Sequence, residues 1–157
     1  MTETWRFAPV TEADFEPLLA LRVDVMREHL ERVFRHKPSR ARRIFREHFE
    51  DPGLRLILVD GERAGCVGFR VGDAEIKIDS FYLDRFYHNR GLGSAILKVL
   101  LAEADASGLP VQLEVLRGSP ADRFYERHGF VKVGEDEVEG HYERPAILDR
   151  SKRIRTS

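Results

Sequence analysis

Apolar residues change their spacing several times along the chain, and each change marks an element. Trp5 to Ala8 alternates and reads as a first strand. Thr11-Glu12-Ala13-Asp14 reads as a helix start of the capping-box type. Phe15, Leu19, Met26, Leu30 and Val33 then recur at helical spacing, so this helix runs to about Val33. Arg22, Met26 and His29 share one side of it. Pro38 opens a second helix with Ile44, Phe45 and Phe49 as its apolar side, and Asp51-Pro52-Gly53 stops it. Leu54 to Val59, Ala64 to Val71 and Glu75 to Leu83 read as strands. The short turns Asp60-Gly61 and Gly72-Asp73 make them an antiparallel meander. A third helix starts at Gly91 and runs to about Ser107, with Ile96, Leu97, Leu100, Leu101 and Ala104 inward; Gly108 and Pro110 end it. Val111 to Leu116 is a further strand. Ser119-Pro120-Ala121-Asp122 starts a short helix that ends at Gly129. Phe130 to Val133 and Glu139 to Arg144 complete the sheet.

Length and composition narrow the class. The 157 residues suit one domain with one sizeable core. Residues 1–147 are expected to form it, without repeat or linker. Residues 148–157 are expected to be a mobile basic tail with Arg150, Lys152, Arg153 and Arg155. A hydrophobic content of 42% excludes a disordered chain. No stretch approaches a membrane span, and Met1-Thr2-Glu3-Thr4 lacks the features of a signal peptide. Cys66 stands alone, so no intramolecular disulfide forms, which fits a cytoplasmic location; in a buried strand it reads as a packed thiol. A net charge of −1 gives no global field for nucleic acid. Arg32, Arg35, Lys37, Arg40, Arg42, Arg43 and Arg46 crowd one region, which reads as solvated surface. No metal site is expected.

Chemistry concentrates in Tyr87-His88-Asn89-Arg90-Gly91-Leu92-Gly93-Ser94, where a strand gives way to a helix. Glycine lets a ligand approach the backbone. The first amides of a helix lack intrahelical partners, and the helix dipole favours an anion there. Asn89, Arg90 and Ser94 can add side-chain donors. The stretch therefore suits a pyrophosphate cradle, and it also suits a plain glycine-containing helix start.

From His88 to Gly93 the stretch resembles the acetyl-CoA signature of the GNAT superfamily, (Gln/Arg)-x-x-Gly-x-(Gly/Ala). Ala121-Asp122-Arg123-Phe124-Tyr125-Glu126-Arg127-His128-Gly129-Phe130 resembles its second landmark, Ala-x-x-(Leu/Phe)-Tyr-x-x-x-Gly-Phe. The two stand in the expected order, and the pair is more specific than either alone. His88 replaces the usual Gln or Arg, and Ser119 stands where related sequences often carry Asn before Pro-Ala.

The resemblance implies an α/β fold with a mixed, mostly antiparallel sheet of about six to seven strands, splayed between the fourth and fifth, and about four flanking helices. It implies acetyl-CoA as cofactor. The diphosphate would lie against His88, Asn89, Arg90, Gly91, Leu92, Gly93 and Ser94, with Ser119 and Tyr125 further along the cofactor. A bulge near Phe81 and Tyr82 would leave main-chain groups of Phe81, Tyr82 and Leu83 for its pantetheine arm.

Acetyl transfer to an amine needs a neutral amine, donors for the carbonyl oxygen and a proton for the departing thiolate. The resemblance makes Tyr125 the general acid; a phenol titrates near pH 10 and is protonated at neutrality. Asp79 is the candidate base, with Glu75 and His141 as rivals and water as a substitute. The Leu83 N–H is the candidate oxyanion donor. Arg22, His29 and His141 are candidate substrate contacts, beside His48 and Tyr142; an arginine there suits a carboxylate or phosphate. The expected function is transfer of an acetyl group to a primary amine of a small molecule in a ternary complex. A non-catalytic acyl-CoA-binding regulator and a protein or peptide N-acetyltransferase are the alternatives. Neither nucleic acid nor membrane is an expected partner, and dimers are common among similar proteins.

Overall fold

The computed structural model describes the backbone of residues 4–34 and 37–147, and the side chains of all of these except 28–34. Seven strands form one sheet in the order β1-β2-β3-β4-β5-β7-β6, with four α-helices among the described residues. Two compact units are distinguished, Met1–Arg70 with Asp79–Gly93, and Val71–Ile78 with Ser94–Ser157.

The first unit contains β1 (Trp5–Pro9), α1 (Phe15–Phe34), α2 (Pro38–Glu50), β2 (Leu54–Val59), most of β3 (Glu62–Val71) and the end of β4 (Ile76–Leu83). A 3₁₀ turn, Glu12–Asp14, precedes α1. The Asp14 carboxylate accepts from the Thr11 N–H at 2.8 Å and from Arg63 Nη2 at 2.7 Å. Helix α1 buries Phe15, Leu18 and Arg22. Leu18, not the expected Leu19, is the fully buried leucine. The seam passes through Arg22, a polar residue that the apolar count skips. Phe15, Leu18, Phe45, Phe49, Leu54, Leu56 and Cys66 form one core cluster. β1–β2 and β2–β3 pair antiparallel. β3 begins at Glu62, two residues before the expected start. Asp60 (φ 51°) and Gly61 (φ 84°) both adopt positive φ, which makes the tight turn that lets Glu62 pair with Val59.

β4 carries the expected irregularity. The Gly72 N–H donates to the Glu75 carbonyl at one end of the β3–β4 hairpin, and the Asp84 N–H to the Ala64 carbonyl at the other. These pairings are out of step by one residue, so β4 contains an extra residue, a bulge. Ser80, inside the strand at φ 48°, marks it. Opposite, a Cβ on Gly65 would come within 1.9 Å of the Tyr82 carbonyl oxygen, so only glycine fits there.

The second unit contains α3 (Leu92–Ser107), β5 (Val111–Leu116), α4 (Ala121–Glu126), β6 (Val131–Glu135) and β7 (Glu139–Arg144). Ile96, Leu97, Leu100, Leu101 and Ala104 are buried as the periodicity predicts. Each of the fully buried Leu97 and Leu100 side chains contributes about 2 kcal/mol of transfer free energy. β4 and β5 run parallel, and their ladder is limited to Ile76↔Val111 and Lys77↔Gln112. β7 pairs antiparallel with β5 and with β6. α4 ends at Glu126, short of Gly129. Among the described residues no helix is long and apolar enough to cross a membrane.

Candidate functional site

In the first unit, the end of β4 leads into a loop built by local hydrogen bonds. The Asp84 carboxylate accepts from the Phe86 N–H at 2.9 Å and starts the 3₁₀ turn Arg85–Tyr87. The His88 ring follows, with Nε2 at 2.7 Å from the Leu83 carbonyl. A carbonyl only accepts, so Nε2 carries the proton and His88 ties the loop back to the strand. The Arg90 guanidinium stacks over the Phe86 ring at 4.2 Å. Asn89 (φ 61°) and Gly91 (φ 78°) both turn through positive φ, and a Cβ on Gly91 would meet nothing within 4 Å. Leu92 and Gly93 then enter α3, whose first amides have no intrahelical acceptor.

The same unit fixes Asp79 and Arg22. Asp79 Oδ1 and Oδ2 accept from Arg70 Nη2 and Nε at 3.0 and 3.2 Å, a bidentate pair, and the two side chains are 19% and 12% exposed. Arg70 Nη2 also donates to the His48 carbonyl at 3.0 Å, and His48 Nδ1 lies 4.0 Å from Asp79. Both oxygens of the expected base are therefore already engaged. Arg22 Nε donates to the Tyr82 hydroxyl at 3.2 Å, so the Tyr82 side chain points at α1. On the basic stretch, Arg42 pairs with Glu16, and Arg46 with Glu12 and Glu50. These carboxylates neutralise it in part, as expected of solvated surface. His29 lies in α1, but its side chain is outside the described residues, as are those of Arg32 and Arg35; the basic tail 148–157 is outside them too.

In the second unit, the Ser94 hydroxyl lies 2.8 Å from His128 Nε2, and His128 Nδ1 lies 2.8 Å from the Phe124 carbonyl. The carbonyl fixes the proton on Nδ1, so in the neutral ring Nε2 accepts from Ser94. Ser94, expected as a donor in the cradle, thus has its proton committed to His128. Tyr125 packs its ring edge-on against Phe124 and Phe130, at 5.1 and 5.6 Å. Its carbonyl accepts from the N–H groups of His128 and Phe130, which holds the turn after α4. Ser119 Oγ accepts from the Ala121 N–H at 3.2 Å and so shapes the start of α4. A depression of about 200 Å³ is lined by Leu116, Gly118, Asp122 and Tyr142, among others.

On the sheet, His141 lies 3.1 Å from Asp136 and 3.8 Å from Glu114, which also pairs with Lys77 at 3.3 Å. Burial, then the neighbouring Glu114 carboxylate, push Glu139 up to about 7. The raised value means the native state holds a proton the unfolded chain has lost. The associated stability is full below about pH 4.5 and is lost as pH rises through about 7. Glu139→Gln keeps a hydrogen-bond donor for Glu114 without the titration. Its melting temperature should gain on wild type between pH 5 and pH 8; an unchanged difference would remove this linkage.

Sequence reasoning missed four participants: Tyr82 as partner of Arg22, Arg70 as partner of Asp79, His128 as partner of Ser94, and Glu139. Hairpin register was the only signal for Arg70, and nothing local links His128 to Ser94.

Known proteins agree with this architecture. The model of the acetyltransferase (GNAT) family matches residues 20–130. The chain resembles the PaiA N-acetyltransferase of Thermoplasma acidophilum, solved in complex with coenzyme A (TM-score 0.72, 14% identity, 90% of this chain and 99% of that one). It also resembles an acetyltransferase from Thermus thermophilus (TM-score 0.71, 22% identity, 90% and 97%). A third similar structure is Ard1 from Thermoplasma volcanium (TM-score 0.69, 20% identity, 94% and 99%). No curated protein matches the sequence significantly. A family match that takes in the β4–α3 loop and the segment through Tyr125 and Phe130 leads to one conclusion: the chain belongs to the acetyltransferase (GNAT) family.

Proposed function

We propose that the chain moves an acetyl group from acetyl-CoA to the primary amine of a small molecule, with direct attack by the amine in a ternary complex. The observation that carries this reading is the β4–α3 loop. Gly91 holds φ 78° with open space where a side chain would stand, and unpaired helix amides follow it. Bound acetyl-CoA would supply the activated acetyl thioester. The residues from Asn89 to Ser94 bind the diphosphate, with His88 as a strut rather than a phosphate donor. Main-chain groups of the Phe81, Tyr82 and Leu83 segment, at the bulge, hold the pantetheine arm, and the N–H of Leu83, whose carbonyl is already tied to His88, faces the developing oxyanion.

Tyr125 gives its hydroxyl proton to the departing sulfur, and Ser119 flanks the arm through the turn it shapes. Asp79 can take a proton only if its Arg70 pair opens, so the amine's proton leaves through water and Asp79 shapes the strand before the bulge. We place the activity in the cytoplasm, which suits a chain whose single cysteine is buried.

Thiol release from acetyl-CoA, measured with a panel of small amines and peptides, tests the reading. Release with small amines is expected. Acetyl-CoA binding without release from any acceptor would make the chain an acyl-CoA-binding regulator; release with peptides alone would move the acceptor to proteins.

A further inference from the structure

Several arginines of the first unit hold carboxylates. Arg42, Arg46, Arg63 and Arg85, all more exposed, each hold a carboxylate. Arg70, 12% exposed, holds Asp79. Arg22 is 7% exposed and holds no carboxylate among the described residues. Its Nε donates to the Tyr82 hydroxyl, its Nη1 reaches the Ala41 carbonyl at a long 3.5 Å, and its carbon lies 6.0 Å from the Phe45 ring centroid. Nη2 has no hydrogen-bond partner among the described residues. A guanidinium carries five N–H donors and a full charge, and a buried cation without a counter-ion is costly.

The Tyr82 hydroxyl completes the geometry. It accepts from Arg22, and its own proton has no acceptor among the described residues. Burial raises its titration further, so it remains a donor. Two unspent donors, one charged, therefore meet where α1 faces β4, next to the main-chain segment assigned above to the acetyl-bearing arm.

We propose that Arg22 and Tyr82 bind a carboxylate of the amine substrate, so that the acceptor is an amine that also carries a carboxylate group. This rests on the amine-acetylating reading for its reaction and on Arg22 alone for its charge. A carboxylate fits better than a phosphate. One guanidinium balances one negative charge, and its hydrogen-bond and ring partners among the described residues, Ala41, Phe45 and Tyr82, bring no second cation for a dianion.

The experiment compares acceptors in matched pairs that differ by one carboxylate: glycine with methylamine, β-alanine with ethylamine, γ-aminobutyrate with propylamine, lysine with cadaverine. In at least one pair the carboxylated member should have a kcat/KM at least tenfold higher, and Arg22→Met should bring that ratio close to one. Arg22→Lys should keep part of it. Equal use within every pair, or a ratio that survives in Arg22→Met, would overturn the proposal. Thermal unfolding separates binding from a structural role. A functional Arg22, without a carboxylate partner among the described residues, predicts that Arg22→Met melts no lower than wild type without ligand. A fall of more than about 5 °C would make Arg22 structural. Binding gives a readout independent of turnover. In the presence of CoA, N-acetylglycine or another N-acetylated amino acid of the panel should give heat of binding, whereas N-methylacetamide should not. If no amine is acetylated but the carboxylated amides bind through Arg22, the reaction is wrong and the carboxylate site stands. If these amides bind no better than their uncharged partners, the site falls.

Discussion

Gly91→Val abolishes CoA binding in a protein that still folds. The residue holds φ 78°, a region where a side chain costs about 1–2 kcal/mol and a β-branched one more. That strain lowers the melting temperature by a few degrees, not the fold. The larger effect is steric. A Cβ at this position meets nothing within 4 Å, so valine is free to project into the space assigned to the diphosphate. Calorimetry should therefore show no heat from CoA with a cooperative thermal transition retained, a loss of at least about a hundredfold. Gly91→Ala, smaller and unbranched, should weaken binding by about tenfold. Wild-type affinity in the folded valine variant would place the cofactor elsewhere on the chain.

Tyr125→Phe lowers turnover by about tenfold or more and leaves acetyl-CoA affinity nearly unchanged. The substitution keeps the ring, and with it the edge-on contacts to Phe124 and Phe130 at 5.1 and 5.6 Å. It also keeps the carbonyl that ties the turn after α4. Only the hydroxyl is lost, while the packing of the ring and the turn it holds are retained. A steady-state comparison of kcat with the acetyl-CoA dissociation constant separates the proton-donating role from a packing role. Unchanged kcat would leave Tyr125 as packing alone.

Much of the fold was legible because apolar periodicity reports burial directly. Ile96, Leu97, Leu100, Leu101 and Ala104 were read as one stripe of α3 and are buried. The strands Leu54–Val59 and Val111–Leu116 match their predicted limits. The reading failed where a polar residue occupies a buried position. Arg22 lies on the seam of α1 after Phe15 and Leu18, yet an apolar count skips it and shifts the stripe to Leu19. It failed again where partners come from distant chain segments. The site's backbone was visible, since glycines and positive φ leave a local signature at residues 89–91. Its side-chain pairing was not. Ser94 and His128 lie 34 residues apart, and Arg22 and Tyr82 lie 60 apart. Asp79 suits both a base and a salt-bridged strand acid, and the sequence does not reveal that Arg70 crosses to it from the neighbouring strand.

Cys66 bears on how activity is read. It has no accessible surface, its thiol donates to the Ser80 carbonyl at 3.3 Å, and burial pushes it up to about 12. Disulfide dyes react with thiolates that they can touch. Since Cys66 is the chain's single cysteine, the folded enzyme is silent to such a dye, and any colour that develops during turnover counts liberated coenzyme alone.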